Sequence, residues 1–441
     1  MRPHIVQTLI TLAVPGMLTV SLPAVAAPAS DAQASPSDSA PVARPQTLDQ
    51  TAPPFPGDYT WLNGTNYQAS PLVVTGPVTW TGMVDVYYGY ATNGPKDHTV
   101  FPTTTAPRHN ELNLNLGLLG VEVTGVPNVI GKFVLQTGNY VDTITGTDAT
   151  VNRGAYSSLA SLRHVQQAYV GYHLPVLHGL NLMTGLFPAY IGLDSYLPQE
   201  NWGYTHNLVS DFTPYYLMGA VAQLYPRQDL KTEFWLVNGW QSLSSFGDTP
   251  GVGWSVNWRP NERLSLTQNM LSGRFDPDQT RWRTYTDTTL QWQYAKQPTP
   301  WIKSLALAAV GDIGYNSAGV SSPETWLGGG ALLHRIEFND QWAFSARGSF
   351  FSDPQRLVAL ALPAGQVAPD GALMAAEATA NLDYKPTPWL LYRLEYRHDF
   401  SNVPNIAGPG GITPATPGDA AFRPDLRTNG GRVTLNATIR F

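Results

Sequence analysis

Arg432-Val433-Thr434-Leu435-Asn436-Ala437-Thr438-Ile439-Arg440-Phe441 ends the chain in strict alternation. Val433, Leu435, Ala437, Ile439 and Phe441 share one parity, and Arg432, Thr434, Asn436, Thr438 and Arg440 share the other. Successive side chains of a strand point to opposite faces, so this segment has one oily face and one wet face. In a soluble protein it would be an edge strand or a fraying tail. In a transmembrane β-barrel it is a wall strand, apolar toward lipid and polar toward the lumen. The rest of the chain decides between the two.

Composition favours the barrel. Charged residues make up 13% of the 441-residue chain, against about 25% in ordinary soluble domains. Past the N-terminus, no run approaches the roughly 18 consecutive apolar residues of a membrane helix. Alternation dilutes the apolar signal of a barrel, and tight turns and interfacial girdles account for Gly 40, Tyr 21 and Trp 13. A net charge of −6 argues against nucleic acid as partner. The absence of cysteine excludes disulfides, thiolate metal sites, a cysteine nucleophile and a lipidated N-terminal cysteine.

Residues 1–26 have the form of a cleaved secretory signal: Arg2, an apolar run from Ile5 to Leu22, then Ala24-Val25-Ala26. The mature chain is therefore expected outside the cytoplasm. Residues 27–78 begin with an Ala-, Pro- and Ser-rich stretch that has little to bury, and they are expected to form a disordered periplasmic segment. The barrel is expected over 79–441.

From Thr79 the chain breaks into alternating segments of about ten residues, the length of a tilted membrane-spanning strand. They fall near 80–90, 110–123, 129–138, 162–173, 180–188, 215–225, 230–238, 251–259, 264–272, 282–293, 302–313, 325–335, 342–351, 374–384, 389–400 and 430–441. The count is about sixteen, within a range of 14–18. Brief turns such as Pro226-Arg227-Gln228-Asp229 and Pro260-Asn261-Glu262-Arg263 follow the even-numbered segments, and mostly longer connections follow the odd ones. Short turns at one end and long loops at the other are the periplasmic and extracellular ends of an outer-membrane barrel. The expected fold is thus an all-β, transmembrane, antiparallel up-and-down barrel in the cell outer membrane. Its first and last strands should pair to leave no open edge.

Parity assigns the faces. Arg283, Tyr285 and Asp287 share one side of their segment, bracketed on the other by Trp282 and Trp292. Arg393, Glu395, Arg397 and Asp399 oppose Tyr392, Leu394, Tyr396 and Phe400. A lipid-facing charge at mid-bilayer costs about 2–4 kcal/mol, which sends these charges to the lumen. Asp85, Tyr87, Arg347 and Glu377 join them as lumen candidates. The alternation is less clean near Gly117–Val123 and Gly219–Gln223, where a bulge would restore it. Gly328-Gly329-Gly330 lies inside a strand and lacks the Lys and Ser/Thr of a phosphate loop; it is expected to admit close packing.

Several stretches resemble the OmpL-like β-barrel porin family of Gram-negative bacteria: Val84-Asp85-Val86-Tyr87-Tyr88-Gly89-Tyr90, His164-Val165-Gln166-Gln167-Ala168-Tyr169-Val170, Gln199-Glu200-Asn201-Trp202-Gly203-Tyr204, Thr213-Pro214-Tyr215-Tyr216, Val237-Asn238-Gly239-Trp240 and Tyr392-Arg393-Leu394-Glu395-Tyr396-Arg397. The resemblance implies an outer-membrane channel for small hydrophilic solutes, and it gives Phe441 the look of the signal read by barrel-assembly machinery. The chain departs from the family in its Pro- and Ala-rich loops, Val358 to Pro369 and Pro404 to Pro424.

The third long connection, about 188–214, carries Asp194, Glu200, Trp202, His206 and Asp211. By analogy with general porins it would fold inward and set acids across from Arg283, Arg347, Arg393 and Arg397, creating a transverse field that selects ions and polar solutes. The alternative is a surface loop with solvated acids. The lumen charges could equally be an ion-pair ladder that stiffens the wall, and Tyr87 and Tyr285 either a sugar-stacking track or filler. An enzyme is not expected: His398-Asp399 near a rim, with Asp85, Asp353 and His98 elsewhere, includes no activated nucleophile, and the nine histidines show no metal-ligand spacing. Neither cofactor nor metal is implied. The stretch Leu357 to Ala368 would suit lipopolysaccharide or a neighbouring subunit, so a homo-oligomer stays open, although a loop packed over the barrel mouth is the plainer explanation. The partners expected are thus outer-membrane lipid and lipopolysaccharide, barrel-assembly machinery and small hydrophilic solutes. An adhesin or scaffold barrel is the competing reading, with a barrel hydrolase behind it.

Overall fold

The structure is a computed structural model. It describes residues 55, 58–62 and 73–441, except 147, 149, 151–154, 157–161, 246, 276–279, 321, 359–361, 363–369, 417, 420 and 421. The signal sequence, much of 27–78 and much of Leu357 to Ala368 lie outside these residues.

Sixteen strands form the wall: β1 (Val78–Ala91), β2 (Glu111–Val123), β3 (Val129–Thr137), β4 (Val165–Leu174), β5 (Leu180–Pro188), β6 (Tyr216–Arg227), β7 (Leu230–Val237), β8 (Gly251–Asn261), β9 (Leu264–Gly273), β10 (Arg283–Thr299), β11 (Ile302–Asn316), β12 (Thr325–Glu337), β13 (Trp342–Asp353), β14 (Leu373–Thr387), β15 (Leu390–Ser401) and β16 (Asn429–Arg440). Each pairs antiparallel with its sequence neighbours, and β16 also pairs with β1, so the sheet closes. A three-residue strand, Val73–Thr75, folds back on β1. Closure satisfies the backbone of every wall strand without water, which is the condition for crossing a bilayer.

All sixteen expected segments are strands. β10 runs longer than expected because its ladder with β11 continues beyond two register shifts, at Trp292/Ala295 and Lys296/Thr299, and β11 is longer at its other end, where it stays in register to Asn316 opposite Arg283. One of the irregular parities has an identifiable cause: Asn115 is the extra residue of a bulge between Leu114 and Leu116, opposite Val86 and Asp85. Over Gly219–Gln223 no bulge is present, and β6 shifts register only beyond it, between Leu224 and Arg227. The glycines of β12 do admit close packing: a Cβ on Gly329 would sit 2.1 Å from the Phe350 carbonyl oxygen.

The faces divide as parity requires. On β16, Val433, Leu435 and Ile439 are exposed on the outside while Arg432, Thr434, Asn436 and Thr438 are buried in the lumen. Trp342, Tyr384 and Tyr392 are register partners on β13, β14 and β15 and stack in a row on the outer face, the geometry of an aromatic girdle. At the seam, Gly82 N–H donates to the Phe441 carbonyl (2.7 Å) and Phe441 N–H donates back (2.9 Å). The Phe441 ring covers Gly82 so closely that a Cβ there would meet it at 2.3 Å.

One local departure concerns the N-terminal segment. Within the stretch expected to be disordered, Thr60–Leu62 form a 3-10 turn and Trp61 is buried. Phe55 N–H donates to the Gln228 carbonyl at 2.6 Å, and Trp61 Nε1 donates to the Glu262 carbonyl at 2.7 Å. Arg259 lies over the rings of Phe55 (4.2 Å) and Tyr59 (5.0 Å). Gln228 and Glu262 belong to short turns, so the segment sits at the periplasmic mouth. The polar composition upstream of it concealed these three aromatics, which find their burial on the barrel.

Candidate functional site

The connection from Ala189 to Tyr215, between β5 and β6, is folded into the lumen. Within it lie a 3-10 turn, Pro198–Glu200, and a short helix, α1 (Leu208–Asp211), capped by Asn207, whose side chain accepts the Ser210 N–H at 3.0 Å. Irregular backbone buried in this way must find partners for its amides and carbonyls. The wall provides them. On β15, the Glu395 carboxylate accepts N–H of Tyr204 (2.6 Å), N–H of Thr205 (3.1 Å) and the Thr205 hydroxyl (2.6 Å). Arg393 donates to the carbonyls of Pro198 (2.6 Å), Gly203 (3.2 Å) and Asn201 (2.5 Å), and its Nε to Asp383 (3.0 Å). Arg347 on β13 donates to the Thr205 carbonyl (2.5 Å) and to Glu377 (2.8 Å). Arg397 donates to the His206 carbonyl (2.6 Å) and to Asp399 (2.7 Å).

The charges lie in horizontal rows because the strands are in register. Arg347, Thr379, Arg397 and Arg432 are successive Cα partners; Ser345, Asn381, Glu395 and Thr434 form the next row, and Ala343, Asp383, Arg393 and Asn436 the one after. Arg335 Nη2 reaches Asp383 at 2.9 Å. Arg393, Glu395 and Arg397 are each about 1% exposed. Removing one member of such a buried pair strands the other at a cost of about 3–5 kcal/mol, so the loop and wall form one locked unit. Gly203 makes the contact close: a Cβ there would lie 3.0 Å from Glu395 Oε2 and 3.1 Å from Arg347 Nη1 and would press on both side chains.

The loop candidates come together within this unit. Asp194 accepts the backbone N–H and side-chain amide of Asn207, both at 2.7 Å. Glu200 accepts Arg440 (2.9 Å) and Ser195 (2.8 Å). The Trp202 carbonyl accepts Arg335 (3.4 Å) and Asn381 (3.3 Å), and its indole N–H donates to Leu62 of the N-terminal segment (3.2 Å). His206 Nε2 contacts the Ser195 carbonyl at 3.0 Å. Asp211 accepts Thr104 (2.5 Å) and Tyr215 (3.1 Å) and lies 3.5 Å from Arg397. Burial works against its charge, but the His206 and Thr104 bonds and the Arg397 charge outweigh it and hold the carboxyl at about 2.

This geometry differs from acids facing arginines across an aperture. Arg347, Arg393 and Arg397 touch the loop directly, because its carbonyls are the nearest buried acceptors. Arg283 is elsewhere, over the Trp240 ring at 5.1 Å and bonded to Asn316 at 2.8 Å. Asp287 accepts Asn269 (2.6 Å) and is the register partner of Asp312. Asp85, fully buried, is bonded to Tyr204 (3.0 Å), Asn115 (3.3 Å) and Asn436 (2.5 Å). Tyr87 and Tyr285 are buried too: Tyr87 accepts Arg108 N–H (3.0 Å) and Tyr285 donates to Asp312 (2.7 Å). Neither ring lies free along a passage.

Open space lies on the other side of the loop. A cavity of about 280 Å³ extends from Glu122 and Ile130, near the short-turn end of β2 and β3, to Pro188 and Tyr190 at the foot of the loop. Tyr169 stacks on Phe187 (4.8 Å) and Tyr190 on Trp235 (4.9 Å) along it. Beside the rings, Asn181, Gln223 and Glu233 are register partners linked by hydrogen bonds of 2.9 and 2.7 Å. These residues are harder to find from sequence, since β4–β7 carry few charges to fix their inward parity. His398 and Asp399 do not form a dyad: adjacent strand residues point to opposite faces, and His398 shares the outer parity with Tyr396 and Phe400.

Sixteen closed strands, an inward loop and a polar lumen define a porin-type barrel. The chain belongs to the family Putative beta-barrel porin-2, OmpL-like, whose pattern matches residues 77–425. Similar solved structures share the fold at low identity. The outer membrane channel DcaP of Acinetobacter baumannii is 12% identical with a TM-score of 0.51, covering 82% of this chain and 97% of that one. The anion-selective porin from Comamonas acidovorans is 9% identical with a TM-score of 0.52, covering 82% and 99%. The trimer form of OmpT from Vibrio cholerae is 9% identical with a TM-score of 0.50, covering 83% and 100%. The comparison with curated proteins finds no match. Family and fold together make the chain an outer-membrane channel for solute diffusion.

Proposed function

We propose that small hydrophilic solutes and ions diffuse passively beside the inward loop, along β2–β7, with Asp194, Glu200, Trp202, His206 and Asp211 shaping the constriction. The observation that carries this reading is the loop itself: it is fixed to β13–β15 by Glu395 and three arginines, while a cavity remains against the opposite wall. Selection then comes from width and wall charge, without catalysis. Residues 1–26 direct export and are removed, Phe441 is the mark for assembly machinery, and lipopolysaccharide meets the long loops. OmpT of Vibrio cholerae has a trimer form, and we carry a homo-oligomer over to this chain on that analogy.

Purified protein in planar bilayers tests the reading, with conductance, reversal potential and block by added sugars recorded together. Discrete conductance steps are expected. Neutralising Asp194, Glu200 and Asp211 together should shift the reversal potential in a salt gradient; an unshifted value would remove the loop from selectivity. A folded, heat-modifiable barrel without conductance would favour the adhesin or scaffold reading, and hydrolysis of peptide or lipid substrates the enzymatic one.

A further inference from the structure

Arg397 and Arg432 are directly opposite each other on β15 and β16, and both are buried in the lumen. Like charges placed opposite across a ladder repel. Arg397 has Asp399 at 2.7 Å and Asp211 at 3.5 Å, but its Nη2 has no hydrogen-bond partner among the described residues. For Arg432 the deficit is complete: Nε, Nη1 and Nη2 all lack a partner among those residues. Four buried guanidinium nitrogens are therefore unspent in one place. Elsewhere in the lumen the same side chain is fully engaged, as at Arg393 and Arg347.

A guanidinium cannot shed its proton to escape this position. The opposed carboxyls Asp287 and Asp312 differ in kind, since one proton between two carboxylates relieves them. Asp399, Glu395 and Asp211 lie close enough to Arg432 to offset part of its charge, but none of them bonds it, so its donors stay open to an anion from outside the chain. A small cavity of about 20 Å³ adjoins Arg432, lined also by Asp399, Asn93, Thr99 and Gly431 among others; Arg397 is the register partner of Arg432 beside it. About 10–15 Å³ accommodates one water, so the space suits a monatomic anion and is too small for phosphate or a carboxylate solute. The charge of Asp399 at its edge is already met by Arg397.

We propose that Arg432 and Arg397 form a buried halide site, with chloride as the ligand class. Because Arg397 also holds the His206 carbonyl, the anion joins the seam strand β16 to the inward loop. The site is separate from the diffusing path along β2–β7 and does not depend on that path conducting.

Bromide soaked into crystals of the full barrel gives a direct test: an anomalous peak is expected within contact distance of the Arg432 and Arg397 nitrogens, and a water there with no bromide signal overturns the proposal. Independently, thermal unfolding followed by tryptophan fluorescence should show a saturable rise of the midpoint with chloride or bromide, relative to gluconate at matched ionic strength. Arg432→Gln should abolish that halide dependence while remaining at least as stable as the native chain in gluconate, because it removes a buried guanidinium that has no hydrogen-bond partner among the described residues and faces Arg397. Halide dependence that is absent from the native protein, or survives in both Arg432→Gln and Arg432→Met, overturns it. Because the anomalous measurement uses the unaltered chain, a variant that fails to fold leaves it decisive.

Discussion

The carboxylate of Glu395 accepts the backbone N–H of Tyr204 at 2.6 Å, although 191 residues separate the two in the chain. One wall acid thus satisfies two consecutive amides and a hydroxyl of the inward loop. Hydrogen bonds to charged groups contribute about 1.5–3 kcal/mol each, so Glu395→Ala should release the loop segment 203–206. Conductance and its noise are expected to rise, and limited proteolysis to cut within the loop. Unaltered conductance and resistance to protease would mean that the arginines alone hold it.

The N-terminal turn meets the loop two residues before Tyr204, where the Trp202 indole N–H donates to the Leu62 carbonyl and Trp61 is buried in the same cluster. We predict that deleting residues 44–62 widens the periplasmic mouth and raises single-channel conductance, without lowering the yield of folded barrel. Trp61→Ala should give a smaller change in the same direction. Identical conductance in all three proteins would assign the segment to packing only.

Asp97, in the connection between β1 and β2, ties that loop to the one before β16. Its carboxylate accepts N–H of Ile412 and Thr413 and the Thr413 hydroxyl, all at 2.8 Å. Burial raises its pKa, but the Ile412, Thr413 and Thr99 bonds outweigh burial and leave it below the ordinary value. A depressed carboxyl contributes stability that is present above its unfolded value, about 3.9, and is lost as pH falls through the folded one. Amide exchange at Ile412 and Thr413 should therefore stay protected at neutral pH and lose protection only in acid below that value. Asp97→Asn should be unprotected throughout and insensitive to pH.

At the seam, removing Phe441 deletes the two backbone bonds to Gly82 and the ring above it. Insertion into the outer membrane should fall severalfold, while the channels that do form conduct as before. Gly82→Val should reproduce the defect by displacing the ring. Normal assembly with altered conductance would contradict the role given to this residue.

The wall was legible in the sequence because a lipid-facing charge is so unfavourable that parity alone places Arg393, Glu395 and Arg397 inside. Even the blurred alternation near Gly117 had a local cause, the bulge at Asn115. The contacts of the loop were not legible. Nothing in Gln199-Glu200-Asn201-Trp202-Gly203-Tyr204 says that its carbonyls will face Arg393, since the partners are almost 200 residues away and register across three strands decides the meeting. Tyr87 and Tyr285 had the right parity for a passage, yet parity does not reveal which lumen residues a loop will cover. Trp61 was concealed for the opposite reason, being an anchor at the end of an otherwise polar stretch.

The bond from Asn436 to Asp85 spans 351 residues, and it belongs to the seam where β16 pairs with β1. Loop-closure entropy grows only logarithmically with such a span, about 0.6 kcal/mol per doubling, so the greater hazard is time rather than entropy. Until β16 docks, β1 presents an unpaired edge that any passing strand can extend. A barrel left unclosed at this seam is in that sense an aggregation-prone sheet. Escort between the two membranes, rather than any property of the finished pore, should limit how much of this protein a cell can make.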